Sequence, residues 1–156
     1  MHVHCDWNGG ANSLSDLAAA AMVLGYEYLG ISDHTKFLRI EHGLDEEALK
    51  RSNLEIDRLN RGFQAAGKKF RLLKGCEANI MADGSLDITD EALSQLDFVI
   101  AGIHSHFKMD RQQMTERLLT AMRNPHVDII AHPTGRIIKR RDEYAIDLTA
   151  VIAAAR

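Results

Sequence analysis

The chain is poor in proline, with two residues in 156, and it holds only two cysteines. Scarce proline, moderate glycine and charges of both signs argue against a disordered chain. Cys5 and Cys76 do not make a disulfide framework, and the opening residues do not read as a secretory signal, because the second and fourth are both histidine. The two thiols are expected to be reduced, buried small residues, and the compartment cytoplasmic. No apolar run approaches the roughly 18 residues of a membrane span, so no membrane partner is expected. The net charge of −3 gives no general attraction to nucleic acid or to an anionic surface, and any such binding has to use a local patch.

What the chain has in excess is histidine, eight residues, several of them beside apolar strand-like runs. With 46% hydrophobic residues, its length suits one ordinary domain with a proper core. No linker or low-complexity stretch interrupts it, so a single domain over residues 1–156 is expected. Ser13 reads as a helix N-cap with Asp16 at the capping-box position, and that helix should stop at Gly25. Tyr26 to Ser32 reads as a short buried strand ending on Asp33-His34. Asp45 to Ala66 has apolar residues at helical spacing (Leu49, Ile56, Leu59, Phe63) and is stopped by Gly67. Phe70 to Cys76 is the next strand, ending on Glu77, and Ala82-Asp83-Gly84-Ser85 is a hairpin-type turn. A short helical turn capped at Thr89 or Asp90 leads to the strand Asp97 to Ile103, which ends on His104-Ser105-His106. Asp110 opens a helix through Met122. Val127 to Ala131 is a strand ending on His132-Pro133, and Leu148 to Ala155 is the last helix. This alternation is that of an α/β fold with a parallel sheet.

Strand after strand hands over to a histidine or a glutamate at its C-terminal end, where such folds build their sites. In an extended His2-Val3-His4, both imidazoles fall on one face. His2, His4, His34, Glu77, His104 and His132 are therefore expected to converge. Five imidazoles and a carboxylate exceed the needs of one tetrahedral zinc and suit two or more metals bridged by Glu77. Such a pair could activate a water and stabilise the leaving oxygen of a phosphoester.

Other residues carry weaker expectations. His106 faces substrate or is a plain loop histidine, and Asp33 orients a ligand imidazole. Arg136, Lys139, Arg140 and Arg141 form the only basic run, either a solvated loop or a set of phosphate contacts. Lys36 and Arg39 are similar candidates. Trp7 is expected to pack or to stack on a base, and His42 and His126 to lie on the surface.

The motifs His2-Val3-His4, Asp33-His34, Gly75-Cys76-Glu77, Gly102-Ile103-His104 and Ala131-His132-Pro133 resemble those of the polymerase-and-histidinol-phosphatase (PHP) metalloesterase superfamily. Leu38-Arg39-Ile40, Gly43-Leu44-Asp45, Asn79-Ile80, Asp83-Gly84, His106-Phe107, Asn124-Pro125 and Asp128-Ile129 extend the resemblance to the C-terminal domain of bacterial and archaeal family X DNA polymerases. It covers essentially the whole chain. It implies a distorted (βα)7 TIM-like barrel with its metal centre at the strand C-termini. The ligands would be the six residues named above, the cofactor one to three Mn or Zn ions, and the activity hydrolysis at DNA 3′ ends. A histidinol-phosphatase-like enzyme and a non-catalytic module of a polymerase are the alternatives. Gly9 stands where the family has a ligand Asp, Met1 stands where an Asp precedes the first His, and no closing Asp-x-His is present. A C-terminally truncated barrel is therefore expected, with fewer metals, impaired activity and an open sheet edge that invites a second copy.

Overall fold

The computed structural model describes residues 1–155. Four parallel strands, β1 (Tyr28–Ile31), β2 (Arg71–Asn79), β3 (Phe98–Gly102) and β4 (Ile129–Ile130), lie side by side in sequence order as a curled half-barrel. Helices α1 (Leu14–Val23), α2 (Glu46–Ala65), α3 (Asp90–Leu93), α4 (Arg111–Met122) and α5 (Leu148–Ala154) complete the alternation. Each helix starts where a short polar side chain can accept a free backbone N–H of the first turn. Ser13 accepts from Asp16, Asp45 from Ala48, Thr89 from Ala92, Asp110 from Gln113 and Asp147 from Ala150. At the C-terminal end of α1, Gly25 takes the left-handed conformation (φ +80°), and the next residue, Tyr26, donates its N–H back to the Ala21 carbonyl.

The strands expected over Tyr26–Ser32 and Val127–Ala131 shorten to Tyr28–Ile31 and Ile129–Ile130, and two further differences from the sequence reading bear on the site. β2 does not end before Glu77 but continues to Asn79, because Glu77, Ala78 and Asn79 pair with Ile100, Ala101 and Gly102 of β3. Glu77 is thus held by ladder bonds rather than by a loop. His2-Val3-His4 is not a strand of the sheet. It lies beside the end of β1, held by Ser32 N donating to Val3 O (2.8 Å) and Val3 N donating to the Ser32 hydroxyl (2.9 Å). One backbone bond is too few to make a ladder, yet it is enough to set the orientation of both histidines.

Alternation along β2 and β3 sorts the residues between two faces. Leu72, Cys76, Ala78, Val99 and Ala101 meet apolar residues of the helices. Phe98 and Ile100 pack inside the half-barrel with Leu73 and Ala131. Every residue of β3 is buried, which is why it reads as a continuous apolar run. The inner face has room for the Phe98 ring because two strand positions opposite it are glycines. A Cβ on Gly30 would sit 2.8 Å from Phe98 Cζ, and one on Gly75 would run into the same ring.

This packing generates a stability prediction. Gly75→Ala should destabilise the chain by about 1–3 kcal/mol through overpacking, read as a lower urea midpoint at unchanged slope. In a Phe98→Leu background the same substitution should cost less. An equal cost in both backgrounds would mean that the ring is not what confines Gly75.

Candidate metal centre

Glu77 is 1% exposed, and both of its carboxylate oxygens face imidazoles. Oε2 lies 2.7 Å from His2 Nε2, 3.4 Å from His4 Nε2 and 3.3 Å from His34 Nδ1. Oε1 lies 3.1 Å from His104 Nε2 and 2.9 Å from His132 Nε2. The rings pack against one another, with His4 and His34 stacked at 4.5 Å between centroids. Two triads, His2–His4–Glu77 and His34–Glu77–His104, have all their donor atoms within 4.8 Å of one another, and they share the carboxylate.

Burial pushes the Glu77 carboxyl upward, but the hydrogen bonds from His104 and His132 hold it well below the usual carboxylate range. Burial lowers His34 to about 4 against the opposing pull of Glu77, and His4, His104 and His2 lower it further. His34 is therefore neutral at pH 7, so the ionised Glu77 relies on the bonds from His104 and His132 rather than on a charge at His34. His34 Nδ1 is buried and has no hydrogen-bond partner among the described residues. An ionised carboxylate and a buried imidazole nitrogen with an unused lone pair are a donor set that fits a divalent cation.

The surroundings fix each donor. His34 N donates to the buried Asn8 Oδ1 (2.7 Å). Asp33 accepts from Cys5 N at 2.7 Å and from the Cys5 thiol at 2.9 Å, which ties the end of β1 to the segment carrying His4. Burial raises the Asp33 carboxyl, against those two bonds and the His4 charge, while burial and the Asp33 charge keep the Cys5 thiol protonated. Asn79 Oδ1 accepts from His104 N (3.3 Å) and lies 3.2 Å from His104 Nδ1. That contact fixes the ring so that Nε2 faces Glu77 Oε1. Asp87 receives the Thr35 hydroxyl at 2.5 Å, Asn79 N at 2.9 Å and Phe37 N at 2.8 Å, joining the segments that follow β1 and β2. Arg117, 2% exposed on α4, donates to the carbonyls of Ile80, Met81 and Ser105, and so clamps the stretches after β2 and β3.

All six predicted ligands thus meet in one place. Asp33 stands 4.0 Å from His4 Nδ1 and spends its closer contacts on Cys5. His106 is not among the histidines at Glu77. It is exposed, with φ 54°, and lines a groove with Phe107, Lys108, Arg141 and Tyr144. Lys36 is matched by Glu46 at 2.6 Å, and Arg39 is exposed in a short 3-10 helix. Arg136, Lys139 and Arg140 are exposed, whereas Arg141 lies 3.9 Å over the Phe107 ring and donates to Gly135 O. Trp7 packs between two apolar clusters. Sequence reasoning gave no role to Asn79, Asp87, Gly102 or Arg117. Asn79 shares the parity of Glu77 in β2, and Arg117 is a charge on the apolar stripe of Met114, Leu118 and Ala121; both were readable signals.

A family model described as PHP domain matches residues 1–152. The chain is 46% identical over 156 residues to the DNA polymerase/3'-5' exonuclease PolX of Bacillus subtilis, covering 100% of this chain and 27% of that protein. It is 36% identical over 160 residues to a probable phosphatase of Syntrophotalea carbinolica, covering 99% of this chain and 60% of the relative. A probable phosphatase of Caldanaerobacter subterraneus is 40% identical over 89 residues, 54% of this chain and 33% of the relative. The chain therefore spans between about a quarter and three fifths of the length of these relatives.

The centre's geometry predicts two effects. A Cβ on Gly102 would stand 2.9 Å from Glu77 Oε1 and 2.9 Å from His104 Cε1. Gly102→Ala should therefore weaken Mn binding by about tenfold or more in isothermal titration; unchanged affinity would show that the carboxylate is free to move aside. Because both triads use Glu77, Glu77→Gln should remove the higher-affinity ion as well as the weaker one, where loss of only one ion would show that the triads are independent.

Proposed function

We propose that this chain, which belongs to the PHP domain family, is one metal-dependent phosphoesterase module that acts at the 3′ ends of DNA, with Mn or Zn held by His2, His4, His34, Glu77, His104 and His132. The observation that carries this reading is the buried Glu77 carboxylate with an imidazole triad on one oxygen and an imidazole pair on the other. Divalent cations bound there would supply Lewis-acid activation of water and neutralise charge developing on a phosphoryl group. The protein's own part is to hold the donors ready. Asn79 orients the His104 ring, Asn8 fixes the backbone at His34, and Gly102 leaves space beside Glu77 Oε1. The half-exposed His2 and His132 side chains, 41% and 40% accessible, put the open side of the centre toward solvent, where a phosphoester can approach.

The similarity to a DNA polymerase/3'-5' exonuclease along the full chain supports a DNA end as substrate and a polymerase as the wider context. Arg136, Lys139 and Arg140, exposed in the loop that follows His132, are suited to phosphate contacts, with Arg39 a further candidate. Lys36 is a weaker one, since Glu46 already neutralises it. His106, exposed on the groove of the loop after β3, could reach substrate but not the Glu77 oxygens. A second reading, a small-molecule phosphatase, is supported by the probable phosphatases among the relatives. Gly9, exposed with φ 71° and without a side-chain donor, suits a centre with fewer ions and a modest rate.

The test is hydrolysis in Mn with and without EDTA. A 3′-labelled single-stranded oligonucleotide should lose terminal nucleotides slowly, EDTA should stop the reaction, and Glu77→Gln should lower the rate at least about a hundredfold. Rapid turnover of histidinol phosphate with no release from DNA would establish the second reading in place of the first.

A further inference from the structure

The turn Ala82-Asp83-Gly84-Ser85, which follows β2, has so far no part in the metal centre. It is tightly made. Met81 N donates to Ser85 O (2.7 Å) and Gly84 N to Met81 O (3.0 Å), while Asp83 Oδ1 accepts from both Ser85 N (3.0 Å) and the Ser85 hydroxyl (2.7 Å). Gly84 takes the left-handed conformation (φ 87°), and a Cβ on it would run into the Thr120 side chain of α4. The turn reverses the chain, so that Ile80 pairs antiparallel with Leu86 and Asp87 N donates to Asn79 O at 3.1 Å. What it delivers is the Asp87 carboxylate, set beside Asn79 at the end of β2.

Asp87 is half-buried and accepts three hydrogen bonds, with the Thr35 hydroxyl and Asn79 N on Oδ1 and Phe37 N on Oδ2. Two of these donors lead to the two imidazoles of one triad, His34–Glu77–His104. Thr35 directly follows His34, is 1% exposed, and its Oγ1 also accepts from Asn79 N at 3.2 Å. Asn79, likewise 1% exposed, holds the His104 ring through Oδ1 and donates from Nδ2 to Met81 Sδ at 3.3 Å. The other triad is held by different groups. Its His2 and His4 are carried on the segment that Ser32 fastens at Val3 and Asp33 fastens at Cys5. Glu77 belongs to both triads, and its own place is set by the ladder between β2 and β3. The carboxylate is shared, but the braces are not.

We infer that Asp87 is a positioning residue for the His34–Glu77–His104 triad alone, so that the ion held there can be lost while the ion at His2–His4–Glu77 stays. An amide cannot take its place, because one of its two polar ends carries N–H groups and would face a donor where Asp87 accepts. The inference rests on the reading of the Glu77 centre as a divalent-cation site of a phosphoesterase, and binding measured apart from hydrolysis separates the two. Isothermal titration with Mn, checked by the EPR signal of free Mn, counts the ions and gives their affinities. Asp87→Asn should weaken one ion about tenfold or more and leave the other within about twofold. Two backgrounds identify which ion it is. With the first triad broken by His2→Ala, Asp87→Asn should weaken the remaining ion by the same factor. With the second triad broken by His34→Ala, it should leave the remaining ion unchanged. Equal weakening in both backgrounds marks a general loosening of the fold and overturns the inference. Thr35→Val and Thr35→Ser decide the matter if Asp87→Asn does not fold. The selective loss should appear when the hydroxyl is removed and be absent when serine keeps it, and the same affinities in both variants overturn the inference. A chain that binds Mn in this pattern and releases no nucleotide from DNA sustains the inference and fails the 3′-end reading. DNA hydrolysis in Mn by a chain whose two ions weaken alike fails the inference alone, and no Mn bound by the unaltered chain overturns both.

Discussion

Glu77 carries a carboxylate into a place water does not reach, and the groups around it must return the solvation it has lost. Imidazoles gather at both of its oxygens, and the Asp33 carboxylate, 4.0 Å from His4 Nδ1, turns its closer contacts to Cys5. Burying a charge this deeply is unfavourable unless the partners are held in place, because an unfilled position leaves the cost uncompensated. Much of the surrounding architecture can be understood as the means of holding them. β2 runs on past the point where a loop was expected and so pins Glu77 by ladder bonds to β3, while Asp33 and Cys5 tie down the separate segment that brings His2 and His4. Arg117 fastens the stretches after β2 and β3 from the helix behind. That guanidinium is itself buried and makes no ion pair among the described residues, and carbonyl oxygens satisfy it instead.

Small residues on the inner face are the complement of those large ones. Gly30 and Gly75 give Phe98 its space toward the N-terminal ends of the strands, and Gly102 leaves the imidazoles and carboxylate their space at the other end. The half-barrel is thus filled with hydrocarbon at one end and with titratable groups at the other. This division lets a polar centre exist without a polar channel running beneath it, and it keeps the apolar layer of Phe98, Ile100, Leu73 and Ala131 continuous.

Much of this was legible in the residues. The helix caps at Ser13, Asp45, Thr89 and Asp110 stand where short polar side chains precede apolar periodicity, because capping is a local interaction written in adjacent positions. The six converging residues were legible because strand ends in a parallel sheet share one direction. The status of His2-Val3-His4 was not, since a strand is defined by its neighbour and two-residue parity looks the same with or without a ladder. Nor was the pairing of Lys36 with Glu46 or the stacking of Arg141 on Phe107 legible, both being matters of which surfaces meet. Arg117 could have been found, as a cation on an apolar stripe has to be satisfied by something. Which carbonyls would do so depends on loop paths that spacing does not reveal.

Strand order equal to chain order has a consequence for how the protein comes into being. Each pairing joins a strand to the one before it in the chain, so no strand has to wait for a later one to be inserted beside it. The centre is the exception to this locality. Its first two histidines precede the first strand and its last, His132, follows the fourth, so the carboxylate's shell is complete only once all four strands have come together. A cation that binds there acts on a nearly finished fold, and its effect falls on the rate of coming apart rather than on the rate of coming together.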